Sequence, residues 1–336
     1  MREAWLELRR QGVRRRDAAA QLGVSEAELV QELARAGEGV RLRPEWPALL
    51  VRIPTLGGVM ALTRNEACVI EKTGVYGMPD FASAQLGQVT GPDIDLRLFL
   101  NHWSYGFALA EEGKRSLEFF APDGRAVHKI HARGETDLQA WDALVAEFTD
   151  ESDELAIAPN VRAAERPDAD VDVDAYRAAL AGMDNTHDFF GVMRRFWLTR
   201  EQALRLGGPQ FAQPVDRRSY RRLLLDAADS GISIMAFVGN QGAIEIHTGP
   251  VHRVIEHDGY FNVLDRTFNL HLRENLVERT WVVRKPTKSG LISSLEVFDA
   301  SGEMIAQFFG ERHRNEAERK EWRSLLAEMQ PLEQFA

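Results

Sequence analysis

The chain is written twice, and this duplication constrains its fold more than any other feature of the sequence. The segment GVMALTRNEACVIEKTG at 58–74 aligns without a gap to SIMAFVGNQGAIEIHTG at 233–249, pairing Met60 with Met235, Asn65 with Asn240 and Gly74 with Gly249. Further on, LEFFAPDGRAV at 117–127 matches LEVFDASGEMI at 295–305, pairing Leu117 with Leu295, Glu118 with Glu296 and Gly124 with Gly302. Between these blocks IDLRLFL answers FNLHLRE, and Trp103 falls opposite Trp281. Matching blocks that recur in the same order mark two homologous halves.

Both halves share one grammar of apolar runs rich in Val, Ile and Phe with turns between them. SLEFF-APDG-RAVHKI reads as a hairpin in which Pro122 fixes φ and Gly124 supplies a positive φ, and SLEVF-DASG-EMIAQFF repeats it. The sheets are therefore expected to be antiparallel. Helical periodicity covers 2–10, 16–36 and 137–148 in the first half and 217–229 in the second. The fold class is α+β, with an N-terminal repeat over 1–150, an acidic linker over 151–172 and a C-terminal repeat over 173–336. Acid-rich, poor in large apolar residues and broken by two prolines, the linker has the composition of a mobile connector. Because the second repeat carries its own strands and helices, residues 173–336 are expected to fold alone.

Charge and hydropathy narrow the function classes. Lys plus Arg number 41 against 51 acids, a formal net charge of −10, which repels nucleic acid and anionic lipid unless a local basic patch overrides it. The opening MREAWLELRRQGVRRR has no apolar stretch of signal-peptide length, and no later run approaches the roughly 20 apolar residues of a membrane-crossing helix. The single cysteine, Cys68, forms no intrachain disulfide and lies in ALTRNEACVI as a small buried hydrophobe would. A cytoplasmic protein without membrane insertion is expected. Within residues 5–35 two helical stretches meet at Gly23, and Ser25 with Glu28 forms a capping box. A DNA-binding reading would use Arg14, Arg15 and Arg16 on phosphates, but Glu26, Glu28 and Glu32 would face the groove, so a plain helical hairpin is favoured.

None of the nine histidines shows zinc-type spacing, and His128 and His131, three apart on a strand, point to opposite faces. His187, in NTHDFFGVMRRF, has a more particular setting. Asn185 or Thr186 is placed to cap a helix, which puts the imidazole in its first turn; the positive dipole end there favours the neutral form a metal ligand needs, against neighbouring Asp188. TREQ at 199–202 is a second cap, starting a helix at Thr199 that runs to Gly207–Gly208 and sets Arg200 at its N-terminus. A guanidinium beside free backbone N–H groups suits a carboxylate or phosphate. With Phe189 and Phe190 between them, these residues offer a metal ligand, a flat apolar surface and an anion clamp, the needs of haem; a capped amphipathic helix accounts for the same letters.

The phrases VSEAEL (24–29), VMALTRNE (59–66), AVHKI (126–130), IMAFVGNQGAIEIHTGPV (234–251), FNLHLRE (268–274), WVVRKPT (281–287) and IAQFFGER (305–312) resemble, in content and order, those of the bacterial cytoplasmic haem-trafficking and hemin-degrading factors. The resemblance covers nearly the full chain. It implies two tandem repeats, each a large antiparallel β-sheet with flanking helices, and one haem in a cleft where they meet. It implies His187 as proximal iron ligand, Arg97 on the distal side, and Arg200, Lys285, Gln307 and Arg312 around the propionates. His102, five residues after Arg97, competes for the distal position. The implied partners are a haem oxygenase that accepts the haem and the uptake transporter that supplies it. The family's two activities, haem delivery and haem breakdown, leave open a carrier and a haem-degrading oxidoreductase with an external electron donor; no G-x-G-x-x-G fingerprint follows a strand. A haem-responsive DNA-binding regulator is the third reading and rests on the first 35 residues alone.

Overall fold

Two β-hairpins with the same register anchor the architecture. In the first, Glu118 pairs with Lys129, and in the second Glu296 pairs with Gln307. Each closes through a glycine in the left-handed region, Gly124 at φ 74° and Gly302 at φ 79°, as the APDG and DASG turns require. The computed structural model describes residues 1–160, 164–313, 316–329 and 331–332. Its contacts sort the chain into unit 1 (Met1–Arg64, Ile70–Val161 and Gly239–Glu245) and unit 2 (Asn65–Val69, Arg162–Val238 and Ile246–Ala336). Each unit thus incorporates one short turn from the opposite half of the duplicated sequence, and those two turns are the paired Asn65 and Asn240 segments.

Unit 1 opens with α1 (Arg2–Arg10), α2 (Arg15–Leu22) and α3 (Glu26–Arg35), followed by β1 (Gly39–Leu42) and α4 (Trp46–Arg52). The periodic run at 16–36 is broken at Gly23, whose φ of 70° ends α2; the capping box then starts α3, Ser25 Oγ accepting the Glu28 N–H at 3.3 Å and Glu28 Oε2 the Ser25 N–H at 2.7 Å. Next come β2 (Gly57–Arg64), β3 (Cys68–Val75), β4 (Asp80–Ser83), β5 (Leu86–Val89) and β6 (Asp95–Phe99). The meander β7 (Tyr105–Glu111), β8 (Lys114–Phe120) and β9 (Ala126–Thr136) leads to α5 (Leu138–Phe148) and β10 (Thr149–Asp150). Within the unit the strand order is β10-β1-β7-β8-β9-β2-β3, with β6-β5-β4 a separate run. Trp46, Trp103 and Phe119 pack edge-on and tilted in the core, and each indole is satisfied: Trp46 Nε1 donates to the Trp103 carbonyl at 3.0 Å, Trp103 Nε1 to the Gly242 carbonyl at 2.9 Å. Asn240 closes its own turn, its Oδ1 accepting the Gly242 and Ala243 N–H groups, while its Nδ2 donates to the Arg64 and Val127 carbonyls, each at 2.8 Å.

Unit 2 begins with α6 (Val173–Ala181), α7 (Asp188–Phe196), α8 (Arg200–Gly207), β11 (Ala212–Val215) and α9 (Ser219–Ser230). Then follow β12 (Ile234–Gly239), β13 (Ala243–Gly249), β14 (Val254–His257), β15 (Tyr260–Leu264) and β16 (Phe268–Arg273). The meander β17 (Arg279–Thr287), β18 (Gly290–Phe298) and β19 (Met304–Gly310) precedes α10 (Lys320–Ala327). The order β11-β17-β18-β19-β12 reproduces β1-β7-β8-β9-β2, and β16-β15-β14 reproduces β6-β5-β4. Here Asn65 plays the part of Asn240, its Oδ1 accepting the Ala67 and Cys68 N–H groups and its Nδ2 donating to the Ile305 carbonyl at 2.8 Å.

Two readings of the sequence need correction. Opposite Glu118 the structure places Phe107, and opposite Glu296 it places Trp281, so Trp281 answers Phe107 rather than Trp103. The β17–β18 hairpin is longer by two residues on each arm, an even step that keeps every side chain on its face. Nor does the connector hang free. Tyr105 OH donates to the Ala156 carbonyl, the Ala158 N–H donates to the Pro122 carbonyl at 2.8 Å, and Asp153 receives Arg35. At its far end Glu165 accepts from Arg205 at 2.7 Å and from Thr199 Oγ1 at 2.9 Å. Two of the acids that give the segment its disorder-like composition, Asp153 and Glu165, are among the groups that tie it down. Cys68 is fully buried, and burial pushes its thiol well above the usual range. Among the described residues no helix is long and apolar enough to cross a membrane.

Candidate functional site

Thr199 caps α8 as TREQ predicts, its Oγ1 accepting the Gln202 N–H at 3.3 Å, and so delivers Arg200 as the first helical residue. The Arg200 guanidinium grips Glu296 on β18 with both arms, Nε to Oε2 at 2.7 Å and a terminal nitrogen to Oε1 at 2.8 Å. Onto the same Oε1 converge Lys285 Nζ from β17 at 3.2 Å, Gln307 Nε2 from β19 at 2.6 Å and Ser294 Oγ at 3.1 Å. Glu296, Lys285 and Gln307 are all buried. Burial works to raise the Glu296 carboxyl, but the Arg200 and Lys285 charges overcome it and hold it well below the usual carboxylate range. Burial pushes Lys285 down to about 8, against the pull of Glu296 and with Arg200 adding to the fall. The cluster holds two cations and one carboxylate, and so keeps one positive charge in excess.

Helix α7 roofs this cluster. The Phe189 ring lies 4.9 Å from Lys285 Nζ and 5.4 Å from the Arg200 guanidinium carbon. On the opposite face α7 is open to solvent. His187, Phe190, Gly191 and Arg194 are exposed and fall at helical spacing i, i+3, i+4 and i+7, one continuous stripe. Phe190 keeps 62% exposure, the Arg194 guanidinium lies over its ring at 5.9 Å, and a Cβ at Gly191 would meet nothing within 4 Å. His187 is the N-cap residue rather than a member of the first turn, and neither Asn185 nor Thr186 caps the helix. No side chain caps the helix; Asp188 instead secures the turn before it, its Oδ2 accepting the Asp184 and Asn185 N–H groups, while Asn185 Oδ1 accepts the His187 N–H at 2.9 Å. The imidazole therefore stands at the mouth of α7.

Of the remaining expected site residues, Arg312 follows β19 half-buried, and its charge bears on the Glu318 carboxyl, which receives the Ser293 N–H and hydroxyl. Arg97 on β6 and His102, in a short 3-10 turn at Leu100–His102, belong to unit 1. The Arg97 guanidinium is engaged by Asp95 and by the Leu96 carbonyl. His128 is no open ligand: its Nδ1 lies 2.8 Å from Thr63 Oγ1, its Nε2 meets the Tyr76 hydroxyl, and burial pushes it down to about 3. Among the described residues no group of three or more His, Cys, Asp or Glu side chains is placed to hold a metal ion.

Sequence reasoning missed Glu296, on which the cluster turns, and its counterpart Glu118. In unit 1, Arg15 begins α2 as Arg200 begins α8, and it donates to Glu118 at 2.7 Å and also pairs with Glu111. Lys129 bridges Glu118 at 2.8 Å and Glu26 at 2.5 Å, Glu26 also receives Arg64, and Ser116 Oγ donates to Glu118 at 3.0 Å. The signal was on the page in SLEFF and SLEVF, where an acid sits inside an apolar strand in both halves; a buried charge needs partners.

A family model described as "Haemin-degrading HemS.ChuX domain" matches residues 23–148 and again 197–329. The hemin transport protein HemS of Yersinia enterocolitica is 38% identical over 320 residues, spanning 94% of this chain and 92% of the relative. Among solved structures, apo-PhuS, a heme-binding protein from Pseudomonas aeruginosa, aligns with a TM-score of 0.95 at 44% identity over 98% of both chains. The heme degrading enzyme ChuS of Escherichia coli O157:H7 aligns with a TM-score of 0.92 at 33% identity, also over 98% of each.

Proposed function

This chain belongs to the haemin-degrading HemS.ChuX family, and on that premise we propose that it binds one haem, receiving imported haem in the cytoplasm and delivering it to a haem-degrading enzyme. One observation carries the haem reading. A single helix presents His187 at its mouth, with Phe190 and the side-chain-free Gly191 along the same open stripe, while its buried face covers a cluster with an excess positive charge. Imidazole suits iron, exposed Phe190 beside Gly191 suits a flat macrocycle, and Arg200, partly exposed at the start of α8 with Lys285 behind it, suits a carboxylate. Gln307 serves through its amide, and Arg312 is the further cation assigned to the propionates.

The supporting test is spectroscopic and kinetic. Ferric haem added to the protein should give an imidazole-type Soret band, and its transfer to an acceptor haem oxygenase should accelerate with acceptor concentration. A transfer rate fixed at the spontaneous dissociation limit removes the delivery role. The rival, haem breakdown in place, draws on the name of the ChuS relative; it predicts a tetrapyrrole product when the complex is incubated with a reductant and catalase together. A DNA-regulator role loses ground to one contact. Arg15, one of its three phosphate-binding arginines, is taken up by Glu118 and Glu111.

A further inference from the structure

Two helix ends built alike carry a glycine in one unit and a tryptophan in the other. Gly23 closes α2 at φ 70° and ψ 28°, and Trp197 closes α7 at φ 58° and ψ 40°, each standing two residues before the residue that caps the next helix, Ser25 or Thr199. The closing bonds match as well. The Gly23 and Val24 N–H groups donate to the Ala20 and Ala19 carbonyls at 3.3 and 3.1 Å, and those of Trp197 and Leu198 to the Arg194 and Met193 carbonyls at 3.2 and 3.0 Å. This left-handed backbone is sterically free for glycine and strained for a residue with a Cβ, so the turn itself calls for glycine at both places. Glu112 and Asp258, the other non-glycine residues with positive φ among those described, each precede a glycine in a two-residue hairpin turn, where that φ is ordinary. Trp197 has no such reason.

Its side chain adds a second cost. Trp197 is 80% exposed, whereas the other tryptophans are 5% exposed or less, so the fold gains little from its indole. Beside it Arg194 and Arg195 are exposed and, among the described residues, neither enters an ion pair; their guanidinium groups lie over the Phe190 and Phe196 rings at 5.9 and 5.3 Å. On a chain of net charge −10, two uncompensated cations beside an exposed indole form a local patch of the opposite sign. We propose that this end of α7 is a docking surface, with Trp197 as anchor and Arg194 and Arg195 as rim, for a partner protein that offers an apolar pocket edged with carboxylates. Trp and Arg are the residue types that carry most of the energy in such contacts, and rim charges steer the encounter. About 15 Å of helix, at roughly 1.5 Å per residue, separates Trp197 from His187, so a partner seated on the indole leaves the imidazole in place. Only the identity of the partner, the acceptor haem oxygenase, rests on the delivery reading.

The chain labelled with fluorotryptophan and loaded with diamagnetic gallium protoporphyrin in haem's place reads this surface by fluorine NMR, with Trp197→Gly identifying the Trp197 signal. Unlabelled acceptor should shift or broaden that signal and leave those of the buried tryptophans where they are. In haem transfer, the acceptor concentration that gives half the maximal rate should rise at least roughly tenfold in Trp197→Gly and roughly threefold to tenfold in Arg195→Glu, while both variants keep the Soret band of the parent complex. Ligand-free Trp197→Gly should also melt a few degrees above the parent, because the turn regains its glycine; a packing role for the indole would lower the melting point. An acceptor that accelerates transfer but leaves the Trp197 signal unmoved overturns the inference alone, and one that neither binds nor accelerates transfer overturns the delivery reading with it. A signal that moves instead with phosphatidylglycerol vesicles, or with protein concentration alone, gives the surface to lipid or to a second copy, and a Soret band lost in Trp197→Gly gives it to haem; each of these overturns the inference.

Discussion

The polar cluster of unit 1 spreads its cations over several glutamates, and that of unit 2 sets one glutamate against two cations. Both hang on a glutamate in the middle strand of a meander, gripped by the first arginine of a short helix and backed by a serine two residues earlier. They part at few points: Glu111 against Lys285, Lys129 against Gln307, and Glu26 at the start of α3 against Arg200 at the start of α8. A duplicated scaffold thus keeps its strand order and its buried glutamate, while a few side chains change the charges set around it. In unit 2 the middle one of the three leading helices, α7, covers the cluster with Phe189 and carries His187 at its N-terminus.

The comparison is broken most forcefully at the glutamates. Glu118→Gln should cost about 2–3 kcal/mol of stability, because it takes one charged partner from half-buried Arg15 and from buried Lys129, which keep Glu111 and Glu26, and haem should recover none of it. Haem-dependent recovery at Glu118→Gln in chemical denaturation would mean that the unit 1 cluster also meets haem. Next in size is His187→Ala, which should abolish the imidazole-type Soret band and weaken haem by at least the roughly 10–100-fold that outer-shell metal partners cost. An unchanged spectrum and dissociation rate would move the ligand elsewhere.

A gentler probe is pH. Lys285 titrates near 8 when folded and near its ordinary 10.5 when unfolded, so the folded state binds fewer protons in that window. The Lys285 contribution to ligand-free stability should therefore rise as pH climbs from about 8 to 10.5, as the cost of burying its charge is relieved, while haem affinity falls because the anion loses its cation. Lys285→Met should flatten both trends; trends that persist in it belong to another group. The smallest change is Gly191→Ala. Replacing a glycine inside α7 should stabilise the ligand-free protein by about 0.5–1 kcal/mol, since the new Cβ meets nothing, yet it should weaken haem if the bare stripe is the macrocycle's face. Tighter haem binding by that variant would place the ring elsewhere.

What the sequence made legible was local chemistry. The Ser25 and Thr199 caps, the glycine turns at 124 and 302 and the Gly23 break are fixed by neighbours within a few residues, and each appears where the letters put it. Register was harder to read. Two residues added to each arm of the β17–β18 hairpin leave the inward and outward pattern intact, so Trp103 and Trp281 align as letters while occupying different rungs. The fate of Arg200 was hidden for another reason: its partner lies 96 residues away, and only the fold brings that carboxylate to the helix start. The connector misled because composition counts acids without knowing that Arg35 and Arg205 are waiting for them.

The exchanged turns also set a timetable. Unit 1 includes Gly239–Glu245, so a ribosome that has already released every other residue of that unit must still translate much of the second half before the unit can be finished. At roughly 5–20 residues/s the wait is on the order of ten seconds, during which the N-terminal part of the nascent chain lacks Gly242, the acceptor for Trp103, and Asn240, the donor to Val127. In a duplicated protein of this kind the first copy is finished only after much of the second has been made.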